Sequence, residues 1–333
     1  MHRLFFWGII ILVVVIIGLV TDQIFYRILR LFMEKHTANV VRLWTLGIVL
    51  LLIVSNVLYG HYVTRLRINI NNVEVASPRV PEAFDGFRIA HISDFHIDSF
   101  DAKKDMKFVE EIVERILAEK PDIICFTGDI VTIRSAQLIP FRQALKKLAS
   151  SDIPVYSILG NHDYADYVWD FDEERREKDR DSLRMIQREV GWRLLDNDCE
   201  WIRRGNDSIL IAGVGNIGEP PFSTYGNLDE ALQKGGDISD DDFIVLLSHN
   251  PSHWHLEVKP KTNIDLMLAG HTHAMQFRIG SWCPSKYSYG EYAGLYQDGN
   301  QFLYVNTGLG CTGPKVRIGV KPEISIIKLT GNN

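Results

Sequence analysis

The sequence lacks an excess of positive charge and lacks closely spaced cysteines. Its 36 lysines and arginines are outnumbered by 42 aspartates and glutamates, giving a net charge of −6. That balance argues against a nucleic-acid binder that relies on a basic surface. The four cysteines are widely spaced and form no CxxC pair, so they indicate neither a disulfide framework nor a redox compartment and are predicted to be ordinary thiols. A small phosphorylated substrate stays compatible with this charge, because bound cations would reverse the local field in a site.

Internal repeats and low-complexity tracts are absent as well. Hydrophobic residues make up 46% of the chain and charged residues 23%, a composition that predicts a packed core rather than global disorder. A length of 333 residues suffices for one large domain or two ordinary ones.

Two long apolar segments precede the rest of the chain. Leu4–Val20 is uninterrupted, and Leu43–Gly60 contains only scattered polar residues. Both reach the length of about 17 to 20 residues that a helix needs to cross a bilayer. The alternative for the first segment is a cleaved signal peptide, but no small-x-small cleavage site follows it. We therefore predict an N-terminal transmembrane helical hairpin over residues 1–62.

The distribution of basic residues predicts how this hairpin is oriented. The connector between the two segments carries Arg27, Arg30, Lys35 and Arg42, more basic residues than either flank. The positive-inside rule then places the connector in the cytoplasm and residues 63–333 outside it. Arg65 and Arg67, directly after the second segment, act in the opposite direction. The sequence thus predicts a multi-pass protein of the cell membrane with an extracytoplasmic domain.

Beyond residue 65 the pattern is that of an α/β domain. Apolar strands are predicted over 87–93, 122–128 and 153–160, and they alternate with helices over 106–120 and 141–150. This alternation with short turns predicts a layered sheet. The second half is richer in strands, which are predicted over 208–214, 242–248, 263–270, 301–308 and 323–329.

Five of these predicted strands end in a residue that can bind a metal ion. The eight candidates in these turns are Asp94, His96, Asp129, Asn161, His162, His249, His271 and His273. Each of them alone would more often be a turn residue or a satisfied histidine. Five such strand ends in series favour a site, because loops at the carboxyl ends of strands converge on a rigid edge.

Carboxylate, imidazole and amide oxygen together suit borderline divalent ions such as Mn, Zn or Fe. The chemistry that needs such a set is hydrolysis by two metal ions, in which one carboxylate can bridge the pair. Ions about 3.5–4 Å apart would hold a phosphoryl oxygen and activate a hydroxide for in-line attack. A free histidine can donate a proton to the leaving oxygen.

The five sequence blocks SDFH, TGDI, GNHD, LSHNP and AGHTH occur in this order, and together they resemble the calcineurin-like metallophosphoesterase family. The resemblance covers roughly residues 65–329, and segments such as RIAHISDFH and ILGNHDY look like its bacterial membrane-anchored or exported branch. It implies a mixed α/β fold, a four-layer sandwich of two mixed β-sheets flanked by helices.

The resemblance also implies a role for each candidate residue. The first metal ion would be held by Asp94, His96, Asp129 and His273. The second would be held by Asp129, Asn161, His249 and His271, so that Asp129 bridges the two ions. His162 would stay unligated as the catalytic histidine.

Two positions depart from the family pattern. Many members carry a carboxylate or amide three residues after the bridging aspartate, where it supports the catalytic histidine, but this chain has Thr132 there. Close relatives often have two glycines after the last histidine motif, whereas this chain has Ala274 and Met275, which alters the lip of the pocket. Loop 281–296 is predicted either to shape the substrate pocket or to pack over the site as an ordinary loop.

These observations predict a hydrolase of phosphate esters with two divalent ions per chain. The leading hypothesis is a phosphodiesterase or pyrophosphatase that acts at the membrane on a lipid-linked or other envelope phosphate ester, with no nucleic-acid partner. The alternatives are a general phosphomonoesterase or protein phosphatase, and a catalytically silent membrane module. A silent module has no physical need for eight aligned polar residues.

Overall fold

The computed structural model describes residues 18–149, 152–219 and 223–331. Contacts divide the chain into two units, Met1–Leu58 and Tyr59–Asn333. The boundary falls inside a long helix, α1 (Lys35–Tyr62). The last turn of α1 therefore belongs to the second unit.

Among the described residues, one stretch, Lys35–Leu66, is long and apolar enough to cross a membrane. Its mean hydropathy is 2.1, and the share of its apolar window that is buried is 0%. The helix starts earlier than the predicted segment Leu43–Gly60, because residues 36–42 contain no glycine or proline to end it.

The predicted hairpin is not what the described residues show. Most of its first segment, Leu4–Val20, lies outside them, and a single crossing helix lies within them. The predicted connector is itself largely helical, since residues 18–32 are helical and α1 follows shortly after. Arg42, one of the charges that predicted the orientation, is paired with Asp22 at 2.8 Å.

The second unit contains two six-stranded sheets. The first consists of β1 (Asn69–Ala76), β2 (Arg88–Ile92), β3 (Ile123–Phe126), β4 (Val155–Ser157), β5 (Arg193–Leu194) and β12 (Glu323–Thr330). Its order is β1-β12-β2-β3-β4-β5. Strands β2 to β5 run parallel, and β12 lies antiparallel to β2. The sheet is therefore mixed.

The second sheet consists of β6 (Asp198–Arg204), β7 (Asp207–Gly213), β8 (Phe243–Leu247), β9 (Leu266–Ala269), β10 (Gly294–Asp298) and β11 (Gln301–Val305). Its order is β10-β11-β9-β8-β7-β6. The four inner strands are parallel, and each edge strand is antiparallel to its neighbour. This sheet is mixed as well, as predicted.

Helices cover the outer faces of the two sheets. On the first sheet these are α2 (Met106–Ala118), α3 (Arg142–Ala149) and α4 (Glu173–Glu189). On the second they are α5 (Leu228–Gln233) and the helical turn Trp254–Val258. The buried face of α2 repeats at helical spacing through Val109, Ile112, Val113 and Ile116.

The two sheets pack face to face through a shared apolar layer. Side chains such as Ile89, Ile123 and Tyr156 of the first sheet meet Ile211, Val245 and Leu268 of the second. Strands β3, β8 and β9 are entirely buried. They consist of apolar residues throughout because both of their faces are covered. The unit therefore has four layers: helices, the first sheet, the second sheet and helices again.

Candidate metal centre

The eight candidate residues follow the carboxyl ends of β2, β3, β4, β8 and β9, and the structure brings all eight together. Five of them adopt a positive φ, namely Asp94, His96, Asp129, His271 and His273. A non-glycine residue in this region costs roughly 1–3 kcal/mol and persists only where its surroundings impose it. The turns therefore hold these side chains in fixed directions.

Two glycines let the turns after β3 and β4 touch. A Cβ at Gly128 would lie 2.4 Å from the backbone nitrogen of Gly160, and one at Gly160 would lie 2.2 Å from Oδ1 of Asp129. No larger side chain fits at either position. The glycines before Asp129 and Asn161 thus serve close packing of the two loops.

The first group of ligand-type atoms comes from Asp94, His96 and His273, whose candidate donor atoms all lie within 4.8 Å of one another. Nε2 of His273 lies 3.2 Å from Oδ1 of Asp94 and 3.1 Å from Nε2 of His96. All three side chains are buried.

The second group comes from Asp129, His249 and His271, again with donor atoms within 4.8 Å. Nε2 of His249 lies 3.2 Å from Oδ2 of Asp129 and 3.3 Å from Nδ1 of His271. The amide oxygen of Asn161 completes the group, at 3.1 Å from His249 and 2.9 Å from His271.

These separations fit a cation in each group. Ligands at about 2.0–2.1 Å from a tetrahedral ion lie about 3.3 Å apart, close to the separations found. Oδ2 of Asp129 is shared, since it also lies 3.4 Å from Nε2 of His96. The donor set is carboxylate, imidazole and amide oxygen, which suits divalent ions.

Hydrogen bonds outside the centre decide which nitrogen of each ring faces inward. Nδ1 of His249 lies 2.7 Å from the carbonyl oxygen of Thr127 and must donate to it, so Nε2 is the nitrogen that faces the group. Nε2 of His271 lies 3.0 Å from the hydroxyl of Tyr289, so Nδ1 faces the group. Such outer partners fix ring orientation and raise ligand basicity.

His162 stands apart from both groups. Its backbone N–H donates to Oδ1 of Asp129 at 2.8 Å, and its ring lies 5.0 Å from that of His96. Its Nδ1 lies 2.7 Å from the backbone oxygen of Thr132. A carbonyl can only accept, so Nδ1 carries a proton and Nε2 is the nitrogen that exchanges one.

Thr132 therefore replaces the missing family carboxylate or amide in an unexpected way. Its main chain supports His162, while its hydroxyl lies 3.1 Å from Nδ1 of His96 and donates to Asp98. The chain Asp98–Thr132–His96 orients a ligand-type histidine of the first group.

Burial and mutual charge set the protonation of the centre. Burial raises the pKa of Asp94, but the charge and hydrogen bond of His273 lower it more. Burial lowers the pKa of His271 to about 4. Burial also lowers the pKa of His249, but the neighbouring Asp129 raises it to about 9. At neutral pH His271 thus has a free lone pair, and His249 carries a proton that a cation would displace.

Three residues that support the centre were missed by sequence reasoning. Asp163, in the GNHD block, accepts the backbone N–H groups of Asp129 at 2.7 Å and Gly160 at 2.9 Å, which ties two of the turns together. Its pKa is raised to about 8 by burial and by the charge of Asp129. Its place beside His162 was the signal that could have identified it.

The other two had no local signal. The fully buried guanidinium of Arg317 donates to the carbonyl oxygens of Thr307, Gly308 and Gly310. The last of these residues donates its N–H to the backbone oxygen of Asp94 at 2.8 Å. The third residue is Tyr289, whose hydroxyl lies 3.0 Å from Nε2 of His271.

Four residues of loop 281–296 line a cavity, and one of them, Tyr289, also contacts His271. Which of its two predicted roles the loop has stays a prediction. A cavity of about 200 Å³ is lined by Ser288, Tyr289, Gly290 and Glu291 together with Ser252, His255, Leu256 and Glu219. Two other buried histidines lie outside both groups: Nε2 of His91 forms a hydrogen bond with the hydroxyl of Thr127, and the ring of His253 forms hydrogen bonds with Ser248 and Glu257.

Comparison with known proteins places these residues in one family. Residues 87–275, which include the whole centre, match the sequence model of the family described as calcineurin-like phosphoesterase. The chain is 29% identical over 289 residues to the uncharacterized metallophosphoesterase YkuE of Bacillus subtilis, covering 83% of this chain and 90% of that protein. It is 25% identical over 294 residues to a transmembrane protein with metallophosphoesterase domain from Danio rerio, covering 84% and 62%. Among solved structures, a dimetal phosphatase from Danio rerio aligns with a TM-score of 0.36 and 11% identity, over 68% of this chain and 88% of that one.

Proposed function

Because the chain belongs to the calcineurin-like phosphoesterase family and is a hydrolase of phosphoric esters, we propose that its centre binds two divalent cations and cleaves a phosphodiester or pyrophosphate bond at a membrane. The observation that carries this proposal is the position of one oxygen. Oδ2 of Asp129 lies 3.4 Å from Nε2 of His96 in one group and 3.2 Å from Nε2 of His249 in the other. A carboxylate so placed can serve both cations.

The proposed ligands follow from the two groups. Asp94, His96 and His273 hold the first cation, and Asn161, His249 and His271 hold the second, with Asp129 between them. The donor types favour Mn, Zn or Fe. When bound, two such cations supply Lewis acidity for a phosphoryl oxygen and lower the pKa of a water toward neutrality.

The protein's own residues supply orientation and proton transfer. The Thr132 carbonyl keeps a proton on Nδ1 of His162, so Nε2 donates a proton to the leaving oxygen from the doubly protonated ring and is left as a bare nitrogen. Tyr289 and Thr127 hold the rings of His271 and His249 against rotation. The burial of Asp94 and Asp129 keeps water from competing for these carboxylates.

The proposed location rests on the apolar helix. A site tethered by α1 stays within reach of lipid headgroups, which are phosphodiesters, and this supports a diester or anhydride rather than a soluble monoester as substrate. We include a second crossing by the segment Leu4–Val20, which makes residues 1–62 the anchor and residues 63–333 the catalytic domain, outside the cytoplasm. A reporter fused after Asn333 that is active only in the cytoplasm would stay dark; a bright signal there contradicts the outward placement.

The test of the activity compares bis-p-nitrophenyl phosphate with p-nitrophenyl phosphate on the purified full chain with added Mn. Hydrolysis of the diester at a higher kcat/KM than the monoester is expected. The control is Asp241→Asn, at an exposed carboxylate outside both groups and outside the cavity, which should keep the activity. Preference for the monoester would favour a general phosphomonoesterase, and inactivity of the metal-loaded chain on both would favour a silent module.

A further inference from the structure

Three segments of the second unit contain basic residues and no acidic ones. They are residues 59–67, 274–290 and 312–322, which we call the basic face. Five exposed basic side chains belong to it: Arg67, Arg278, Lys286, Lys315 and Lys321. The chain as a whole has a net charge of −6, so this concentration of positive charge is local.

The charges of the basic face are not neutralised by neighbouring carboxylates. Within the described residues none of the five basic side chains forms an ion pair, whereas arginines elsewhere, such as Arg79, Arg88 and Arg184, do. Unpaired cations that lie close together repel one another, unless an external anion balances them.

Backbone contacts join the three segments into one surface. The N–H of Arg278 donates to the oxygen of Ile318, and the N–H of Ile318 donates to Gln276, both at 2.8 Å. Nδ1 of His61 lies 2.8 Å from the backbone oxygen of Lys315. A Cβ at Gly60 would lie 2.8 Å from Val316, so the end of α1 packs tightly against this surface.

Large apolar side chains stand out from the same face. Ile279 is 62% exposed, Trp282 43% and Tyr287 71%. They are held in place, because Ile279 and Trp282 exchange two backbone hydrogen bonds of 3.0 Å and the indole N–H of Trp282 donates to the hydroxyl of Tyr287. Buried Cys283 anchors the loop by a contact of its sulfur with the Ala274 oxygen at 3.3 Å.

We propose that the basic face rests on the surface of an anionic bilayer, with Ile279, Trp282 and Tyr287 at the level of the headgroups. Tryptophan, tyrosine and exposed basic residues are the composition that proteins place at a membrane interface. The surface begins where α1 ends, so the chain that leaves an apolar helix of crossing length enters this face directly. The proposal rests on the crossing by α1 and is independent of which ester is cleaved.

A short stretch of chain links the basic face to the metal centre. Gln276 follows His273 by three residues, and its side-chain amide donates to the backbone oxygens of Pro314 and Val316 within the face. Docking of the face would therefore hold the loop that carries His273 next to the bilayer. Esters carried by the membrane are favoured over soluble ones as substrates.

The test places the full chain in vesicles of phosphatidylcholine and phosphatidylglycerol whose acyl chains carry bromine, which quenches nearby tryptophan fluorescence. Trp44 in α1 should be quenched in every variant. We expect Trp282→Phe to lower the quenched fraction of the signal. The matched control Trp169→Phe removes a side chain that is 91% exposed but outside the face, and it should leave that fraction unchanged. An equal quenched fraction in wild type and Trp282→Phe overturns the proposal.

A second arm tests the charges. The measured quantity is the ratio of activity on a vesicle-borne diester to activity on bis-p-nitrophenyl phosphate. The double variant Arg278→Glu with Lys286→Glu should lower this ratio several-fold. Added salt should lower the ratio of the wild type as well. Arg203→Glu, at another exposed arginine, is the control. A face that instead binds a second copy would keep the ratio and double the mass of the detergent-solubilised protein, which contradicts the proposal. Flotation of the vesicles after an alkaline wash measures separately whether the chain is anchored in the membrane. Hydrolysis of the soluble diester measures separately whether the proposed reaction takes place.

Discussion

The two groups of the metal centre differ in how far they are shielded from solvent. In the group of Asp94, His96 and His273, every side chain is buried. In the other group Asp129 and His249 are fully buried, but Asn161 and His271 are only partly buried, as is the neighbouring His162. We therefore expect solvent to reach the second group more readily than the first.

The largest effect is expected from substitution of Asp129, the residue that both groups share. Asp129→Ala removes the oxygen that both groups share, so both cations should be lost and activity should fall to background. Elemental analysis after gel filtration measures the cation content, with Asp241→Ala, at an exposed carboxylate, as the control. Two ions per chain retained in Asp129→Ala would refute the shared oxygen.

Separate removal of one ligand from each group sharpens the comparison. The wild type should release its two ions to a weak chelator in a fast and a slow phase, because the buried group exchanges only through local opening. His271→Gln should lose the fast phase, and His96→Gln the slow one. Release of both ions in a single phase would show that burial does not distinguish the groups.

Substitution of His162 tests whether this partly exposed residue serves catalysis rather than cation binding. His162→Ala should keep both cations while kcat falls by roughly 10²–10⁴-fold, the range for a general acid or base. The measurement is kcat on bis-p-nitrophenyl phosphate beside elemental analysis of the same sample. Loss of one ion in this variant would make His162 a ligand.

The smallest expected effect concerns the ring orientation of His271. Tyr289→Phe removes the hydroxyl that lies 3.0 Å from Nε2, and loss of such an outer partner weakens cation affinity by about 10–100-fold. Only the fast-exchanging ion should be affected, as titration with Mn would reveal. Tyr287→Phe is the control, and an equal loss at both ions would contradict a local effect.

Much of the fold could be predicted because buried strands appear in the sequence as runs of apolar residues. Strands β2, β3, β4, β8, β9 and β11 all lie within predicted segments. Strand β6, with the sequence DCEWIRR, was missed because its residues are only partly buried at a sheet edge, where polar side chains are tolerated. The insertion of β12 between β1 and β2 could not be predicted, because strand order depends on contacts between distant residues.

The predicted hairpin stays a prediction for its first segment, because most of Leu4–Val20 lies outside the described residues, which contain one helix of crossing length. Hydropathy identifies apolar segments but does not set where a helix starts, and α1 extends eight residues beyond its predicted N-terminal end. The orientation argument counted Arg42 as a free charge, whereas it is paired with Asp22. Charge counts along a sequence do not register such pairs.

The sequence by itself determined which residues could form the centre, because ligand chemistry belongs to the side chains and strand ends are visible in the apolar pattern. It also determined the family, through five ordered blocks. Only the tertiary structure decided that a main-chain oxygen of Thr132, and not its side chain, supports His162, and that Arg317 and Tyr289 act on the centre. The reason is physical: these contacts join residues far apart in the chain, or use backbone atoms that every residue possesses, so no local pattern marks them.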